Sequence, residues 1–414
     1  MIYKKIVKCR VCGNKKLKSV INLGRLALTG IFPDKNEKVN FGPLELVKCD
    51  VKNNDGCGLL QLHHNYNLDL LYGDNYGYRS GLNESMVNHL NLIVKQIEKI
   101  ASLKNNDLVI DIGSNDGTLL KSYKNTKLQL VGIDPTIKKF KRFYPPYIKY
   151  IADFFSDKLV HKFFKKKAKI ITSIAMFYDL ESPIQFMKQI ENVLRDDGLW
   201  VIEQCYMPNM ITKNAYDTIC HEHLEYYALK QIKWMADKVN LKIIKVETNE
   251  TNGASFLVII AKKNSDYVED KTAINRLLKM EQKRKLDEVS VYKAFYKKIV
   301  DHKVKLKKLI NEINKRGERV FGYGASTKGN VILQFCEFTK KDIPYIAEVN
   351  EYKFGKQTPA TKIPIISEKE AISMHPNYYL VLPWHFKENI IERERKFLQS
   401  GGHLIFPLPK LEII

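Results

Sequence analysis

Leu108-Val-Ile-Asp-Ile-Gly113, running into the loop Ser114-Asn115-Asp116-Gly117 and then Thr118, is the stretch whose reading decides the fold. An apolar, β-branched run bounded by a glycine loop reads as a buried strand, and a helical stretch is expected from Thr118. Upstream, Asn83 to Ser102 reads as an amphipathic helix. Downstream come strand-like Leu128 to Asp134, strand-like Ile170 to Ala175, a helix from Pro183 to Leu194 and strand-like Leu199 to Glu203. Strands alternating with helices imply a doubly wound parallel sheet of the α/β class. Leu241 to Val246 and Ala254 to Ala261 follow, joined through Asn252-Gly253, a strong hairpin signal.

Beyond this block, residues 265–315 are polar and helical, with Val291, Phe295, Ile299, Leu306, Ile310 and Ile313 near helical spacing, so one long bridging helix is expected. A second glycine loop, Gly322-Tyr-Gly-Ala-Ser-Thr-Lys-Gly-Asn330, opens a smaller α/β unit with strands at Pro344 to Glu348 and Tyr378 to Pro383. The expected domains are 1–72, 73–263 and 264–414. Hydrophobic residues make up 44% of the 414, which excludes disordered and low-complexity classes. No stretch reaches the roughly 20 apolar residues of a membrane span, and lysines break the first residues where a signal peptide needs an apolar core. A cytoplasmic location without membrane attachment is the expectation. The net charge of +22 invites a nucleic-acid partner, but the lysines are scattered over helix faces instead of forming one stripe.

Cys9-x2-Cys12 and Cys49-x7-Cys57 offer two pairs of thiolates to one ion, the pattern of a tetrahedral structural zinc site; His63 and His64 lie near enough in sequence to be rival ligands. In the first glycine loop, Asp111, Gly113, Ser114, Asn115, Asp116 and Gly117 form the turn from strand to helix. Asp134, before Pro135, ends the next strand, where a carboxylate can accept both hydroxyls of a ribose. The loop departs from G-x-G-x-x-G and carries two acids, which suits a cationic ligand such as S-adenosylmethionine. Asp153 and Phe154 are placed to flank its adenine. His221-Glu222-His223 resembles half of a metal site, yet residues two apart share a face only in a strand; a base with an acidic neighbour fits better, and structural histidines are the bland alternative.

The parallel strands closed by a hairpin look like the class I S-adenosylmethionine-dependent methyltransferase sheet. Together with the zinc-knuckle start, Val109 to Thr118, Gly132-Ile-Asp-Pro135, Asp217-Thr-Ile-x-His-Glu-His-Leu224 and the Gly322 to Asn330 loop, it resembles the sugar C-methyltransferases that act on nucleotide-linked 4-keto-6-deoxyhexoses. The resemblance implies an N-terminal zinc-binding domain, a central methyltransferase domain and a C-terminal Rossmann-like domain that holds the nucleotide sugar. It implies proton removal beside a ketone, with C-3 the methylated carbon, His223 the base, Glu222 its support and His221 part of the motif. Tyr76 or Tyr78 would donate to the oxyanion. Tyr323, Ser326, Lys328, Asn330 and Trp384 would contact the nucleotide. Two positions depart from the family: Cys220 stands where a tyrosine precedes His-Glu-His, and Phe177-Tyr178-Asp179 stands where a second histidine is expected. Tyr178 and Tyr226 are the candidates to stand in. A nucleotide-sugar substrate, no nucleic acid, and a monomer or homodimer complete the expectation. An RNA methyltransferase and a non-catalytic nucleotide-binding protein are the competing readings.

Overall fold

The computed structural model describes residues 2–51, 56–72 and 76–414. Asn75, which opens the tyrosine-bearing segment, and the expected domain boundary at residue 73 lie outside the described residues.

Five strands precede the first long helix: β1 (Tyr3–Lys5), β2 (Leu17–Ala27), β3 (Phe41–Cys49), β4 (Leu60–Leu62) and β5 (His64–Tyr66). The central block contributes β6 (Leu108–Ile112), β7 (Gln129–Ile133), β8 (Ile148–Ile151), β9 (Ala168–Ile174), β10 (Leu194–Cys205), β11 (Glu225–Tyr226), β12 (Leu241–Asn249) and β13 (Ser255–Lys262). The last unit holds β14 (Val320–Tyr323), β15 (Ile346–Glu348), β16 (Ile365–Ser367), β17 (Tyr378–Val381), β18 (His403–Phe406) and β19 (Glu412–Ile413).

The central sheet has the order β12-β13-β10-β9-β6-β7-β8, parallel except for β13, which runs antiparallel to both neighbours. From β6 the chain proceeds outward through β7 and β8 on one side, then returns to β9 and β10 on the other. The order therefore reverses beside β6, and that switch point is where a parallel sheet opens a crevice for a ligand. All five residues of β6 are buried, because helices cover both faces of the sheet. The helix Glu84–Ile100 forms as expected, with the Asn83 side chain accepting from the Ser85 amide at its N-terminus.

Three points differ from expectation. β8 was not anticipated: it is a four-residue edge strand with exposed Lys149 and Tyr150, a polar pattern suited to an unpaired edge. After Thr118 there is only a 3₁₀ turn, Leu120–Ser122, before β7, since Leu119, Leu120 and Tyr123 all turn into the core within one short crossing. The 265–315 region is two helices, Lys271–Lys283 and Val289–Lys315. They break at Lys285, which has φ 53°, because buried Glu281 anchors the first helix to the Leu229 and Lys230 amides while Leu286 turns inward. The hairpin expected at Asn252-Gly253 does form: β12 and β13 pair antiparallel and are joined by Glu250 to Ala254, with Asn252 and Gly253 at positive φ.

The smaller unit is a sheet of order β16-β15-β14-β17-β18-β19, parallel but for β19. Its switch lies beside β14, placing the second glycine loop at the corresponding edge. The N-terminal sheet has the order β11-β4-β3-β2, so its edge strand comes from the segment just after His223. Further clamps join the units: Gln334 receives the Ala27 amide at 2.7 Å and returns a bond to the Ala27 carbonyl at 3.2 Å. One apolar core runs through all three units, from Leu46 through Tyr216 to Leu380.

Candidate active site

The first glycine loop leaves the carboxyl end of β6 with Gly113 at φ 75°, a conformation that a side chain would strain. Asp111 accepts from Thr172 Oγ1 of β9 at 2.6 Å, and burial pushes its carboxyl up to about 7. Asp134 takes the Asn115 amide on Oδ2 at 2.9 Å, and both the amide and hydroxyl of Thr136 on Oδ1 at 2.6 Å. Its Oδ1 is thus saturated. One lone pair remains on Oδ2, so Asp134 has room for one ribose hydroxyl rather than the two expected. Ser114 donates to the Tyr144 hydroxyl at 2.8 Å, which donates on to the Asn115 carbonyl at 3.1 Å. Asp153 and Phe154 lie exposed just beyond the end of β8, on the same sheet edge as the loop.

Residues 76–82 cross this loop as a strap. Asn115 Oδ1 accepts the Ser80 amide at 3.0 Å and Asn115 Nδ2 donates to the Tyr78 carbonyl at 3.2 Å, while Asp116 accepts the Gly81 amide at 3.1 Å. The strap separates the two candidate tyrosines. Tyr78 is 47% exposed beside Asp116, whereas the Tyr76 hydroxyl lies within electrostatic reach of Asp134, Asp179 and Glu222.

The His-Glu-His segment does not act as one unit. His221 is fully buried: Nε2 donates to the Gly42 carbonyl at 3.3 Å, Nδ1 accepts from Thr29, and Tyr66 meets the ring edge-on. Burial lowers its imidazole to about 4, so it is neutral at neutral pH. Both nitrogens are committed to the N-terminal unit, which is why the half metal site is not assembled. Glu222 reaches Gly30, where a Cβ would stand 2.0 Å from its Oε1; only glycine allows this approach. His223 donates from Nδ1 to the Thr218 carbonyl at 2.8 Å, and its ring packs 4.3 Å from that of Tyr178. That bond fixes the tautomer and leaves a bare lone pair on Nε2. Burial and the nearby Lys328 charge lower the imidazole to about 3.

Lys328 ties the second glycine loop to this place. Its ammonium donates to the Asn252 carbonyl at 2.8 Å, and its charge acts on His223, Asp217 and His385. Trp384 Nε1 donates to Asp217 at 2.7 Å, and Asn330 Nδ2 donates to the Thr29 carbonyl at 2.7 Å with its Oδ1 buried and unpartnered among the described residues. Ser326 caps the helix Thr327–Phe335 by accepting the Gly329 amide. Tyr323 points elsewhere: its hydroxyl donates to Glu394 at 2.8 Å. Asp217, Thr29, Gly30, Tyr72 and Asp179 are site residues that the sequence reading did not single out. Asp217 carried a signal as the first residue of the Asp-Thr-Ile motif, and Asp179 as the last residue of the Phe177-Tyr178-Asp179 segment.

The four N-terminal cysteines converge. Cys9 and Cys57 sulfurs are 3.6 Å apart, Cys12 and Cys49 3.5 Å, and all four lie within 4.8 Å of one another with no disulfide. Such spacing suits a tetrahedral zinc ion with bonds of about 2.3 Å. His63 is instead paired with Glu45 at 2.8 Å, and neither histidine joins the cluster.

Three family models match the chain in order: a domain described as zinc binding over residues 9–72, a methyltransferase domain over 87–246, and a C-methyltransferase C-terminal domain over 250–409. The chain is 27% identical to the C-methyltransferase NovU of Streptomyces niveus, over all of this chain and 98% of that protein. Among solved structures, a methyltransferase in complex with the Trm112 activator of Haloferax volcanii aligns with a TM-score of 0.36 and 11% identity, over 44% of this chain and 94% of that one. The plantazolicin methyltransferase BpumL in complex with SAH aligns with a TM-score of 0.34 and 13% identity, over 42% of this chain and 82% of that one.

Proposed function

The chain is an S-adenosylmethionine-dependent methyltransferase, assembled from a zinc-binding domain, a methyltransferase domain and a C-methyltransferase C-terminal domain, and from that premise we propose that it methylates the carbon beside the ketone, C-3, of a nucleotide-linked 4-keto-6-deoxyhexose. The observation that carries this reading is His223: a neutral imidazole whose Nδ1 is held by the Thr218 carbonyl and whose Nε2 is left to accept a proton, packed on Tyr178 and within charge range of Lys328 of the second glycine loop. Carbon methylation beside a ketone requires such a base and donors to the developing oxyanion.

S-Adenosylmethionine, when bound, supplies an electrophilic methyl group on a cationic sulfur. The residues that would hold it are Asp111, the 113–117 loop and Asp134, and the buried carboxyls fit a cation. Nε2 of His223 takes the proton from the carbon beside the ketone. The Tyr76 hydroxyl donates to the ketone oxygen as charge develops there. Lys328 holds the nucleotide diphosphate by its charge, and buried Asn330, whose Nδ2 donates to the Thr29 carbonyl, supports the loop. A zinc ion held by Cys9, Cys12, Cys49 and Cys57 would have a closed four-thiolate set and a structural role, bracing the knuckle whose Arg10 donates to the Leu62 carbonyl at 2.6 Å and faces Glu225 at 3.6 Å.

Methyl transfer from isotope-labelled S-adenosylmethionine to a panel of CDP-, TDP- and GDP-linked 4-keto-6-deoxyhexoses, with bulk RNA alongside, tests the reading by mass spectrometry. Label is expected in one nucleotide sugar. Label in RNA alone would overturn it.

A further inference from the structure

Asp179 and Glu222 are two carboxyl groups in one enclosed compartment, and neither forms an ion pair with a lysine, arginine or histidine among the described residues. Each feels the other or its neighbours as like charge: Asp179 faces Glu222, and the surrounding titratable groups are Tyr72, Tyr76, Tyr178, Tyr226, Cys220 and Glu225. His223 adjoins them as a neutral imidazole, and the nearby cations Lys328 and Arg10 act on His223 and Glu225, not on Asp179. Burial raises both carboxyls, and the like charge of Glu222 adds to the cost of ionising Asp179.

The hydrogen bonds decide where the proton sits. Burial raises the Glu222 carboxyl as well, but four donors favour its ionised form: its own amide, the Cys220 thiol, the Thr29 hydroxyl at 3.4 Å and the Gly30 amide. Asp179 has one, the Tyr72 hydroxyl, at 2.8 Å on Oδ2. Its Oδ1 is buried with no partner. Donors favour the ionised form, so of the two Glu222 ionises more readily and Asp179 is the one that holds a proton. Burial acts on Asp179 in the same direction.

We propose that Asp179 is a catalytic residue in the form of a neutral carboxylic acid, which presents its Oδ1 hydroxyl beside Tyr76 as a second hydrogen-bond donor to the ketone oxygen of the substrate. The role in catalysis rests on the proposed function above; the protonation state does not. No proton is transferred: as His223 removes the proton from carbon, the oxygen gains charge and the Asp179 O–H bond to it shortens and strengthens. When the new carbon–methyl bond forms, the carbon–sulfur bond breaks, its electron pair stays on sulfur, the ketone returns, and the acid keeps its proton. The arrangement also gives Cys220 a use, as a donor that keeps Glu222 ionised beside the acid.

Two measurements test this. Infrared difference spectroscopy of the wild-type enzyme against Asp179→Asn at pH 7 should show a carboxylic-acid carbonyl band that the variant lacks. Absence of that band would overturn the proposal whatever the substrate is. For the catalytic role, Asp179→Asn retains a donor, since its amide oxygen can take the Tyr72 hydroxyl and its NH₂ faces the site. The asparagine variant should keep kcat within about tenfold of wild type and lose the alkaline limb of the kcat profile, while Asp179→Ala loses about 10²-fold or more in kcat with S-adenosylmethionine affinity unchanged. An alkaline limb that survives in Asp179→Asn, or equal kcat in the asparagine and alanine variants, would contradict the role as donor. If no keto sugar is turned over by any form, the function reading fails while the infrared result still stands or falls on its own.

Discussion

At the scale of single residues, the roles proposed for His223 and Asp111 each make a distinct prediction. His223→Asn should lower methyl transfer by about 10²- to 10⁴-fold, the usual contribution of a general base, with S-adenosylmethionine affinity within about twofold of wild type. Steady-state kinetics beside calorimetric titration checks both halves. Asp111, raised to about 7 by burial, binds a cation only as a carboxylate. Affinity for S-adenosylmethionine should therefore be flat above pH 7 and fall by up to tenfold per unit below it, with proton release on binding that is visible as a buffer-dependent heat. A pH-independent affinity from 5.5 to 8 would remove Asp111 from the site. At Gly30, a methyl group has nowhere to go but into Glu222, so Gly30→Ala should cost about 1 to 3 kcal/mol in stability and lower kcat more than it raises KM. The glycine loops, Asp134 and the His-Glu-His motif were legible in the sequence because each is a run of chemically unusual neighbours. Thr29 and Gly30 were not, and for Asp179 only its segment was, because what marks all three is a contact between residues far apart in the chain that no local pattern records.

Among the elements, the zinc knuckle and β11 are coupled in a way neither shows alone. Arg10, between two zinc ligands, donates to the carbonyls of Leu62 and His64 and sits 3.6 Å from Glu225 of β11, whose carboxylate is fully buried. Truncation would leave that charge without a partner, so Arg10→Ala should destabilise the fold by about 3 to 5 kcal/mol, read as a lower midpoint in urea unfolding. A change below about 1 kcal/mol would show that Glu225 is not held as an ion. The long polar region from 265 to 315 was readable as helical from its 3.6-residue period, and Phe295, Ile299, Leu306, Ile310 and Ile313 are indeed buried. The break at Lys285 was hidden because tertiary anchors, Glu281 and Leu286, impose it with no glycine or proline in the sequence. Edge strand β8 escaped for a related reason: a short, half-exposed strand has too little apolar repeat to register.

Across the whole molecule, three sheets meet at one place, and the meeting is what makes the site. β11 closes the N-terminal sheet, Asn330 and Gln334 of the C-terminal unit bond to Thr29 and Ala27, and His221 is buried against Gly42. Unfolding should therefore be strongly pH-dependent on the acid side. His221 protonates near pH 4 in the fold and near 6.5 when unfolded, so the unfolded chain binds the proton first. The stability this residue contributes is complete above pH 6.5 and is lost as pH falls toward 4, by about 3 kcal/mol. His221→Gln should flatten that slope, and an unchanged slope in chemical denaturation would reject the assignment. The central claim, a neutral His223 that removes a proton beside a ketone, is tested most directly by hydrogen exchange. The keto-sugar substrate identified by the labelling panel is incubated with enzyme in D₂O together with S-adenosylhomocysteine, and deuterium at the carbon beside the ketone is followed by mass spectrometry. Wild type should introduce one deuterium there, and His223→Asn should introduce none above the uncatalysed rate. Exchange at the wild-type rate in His223→Asn would contradict the account.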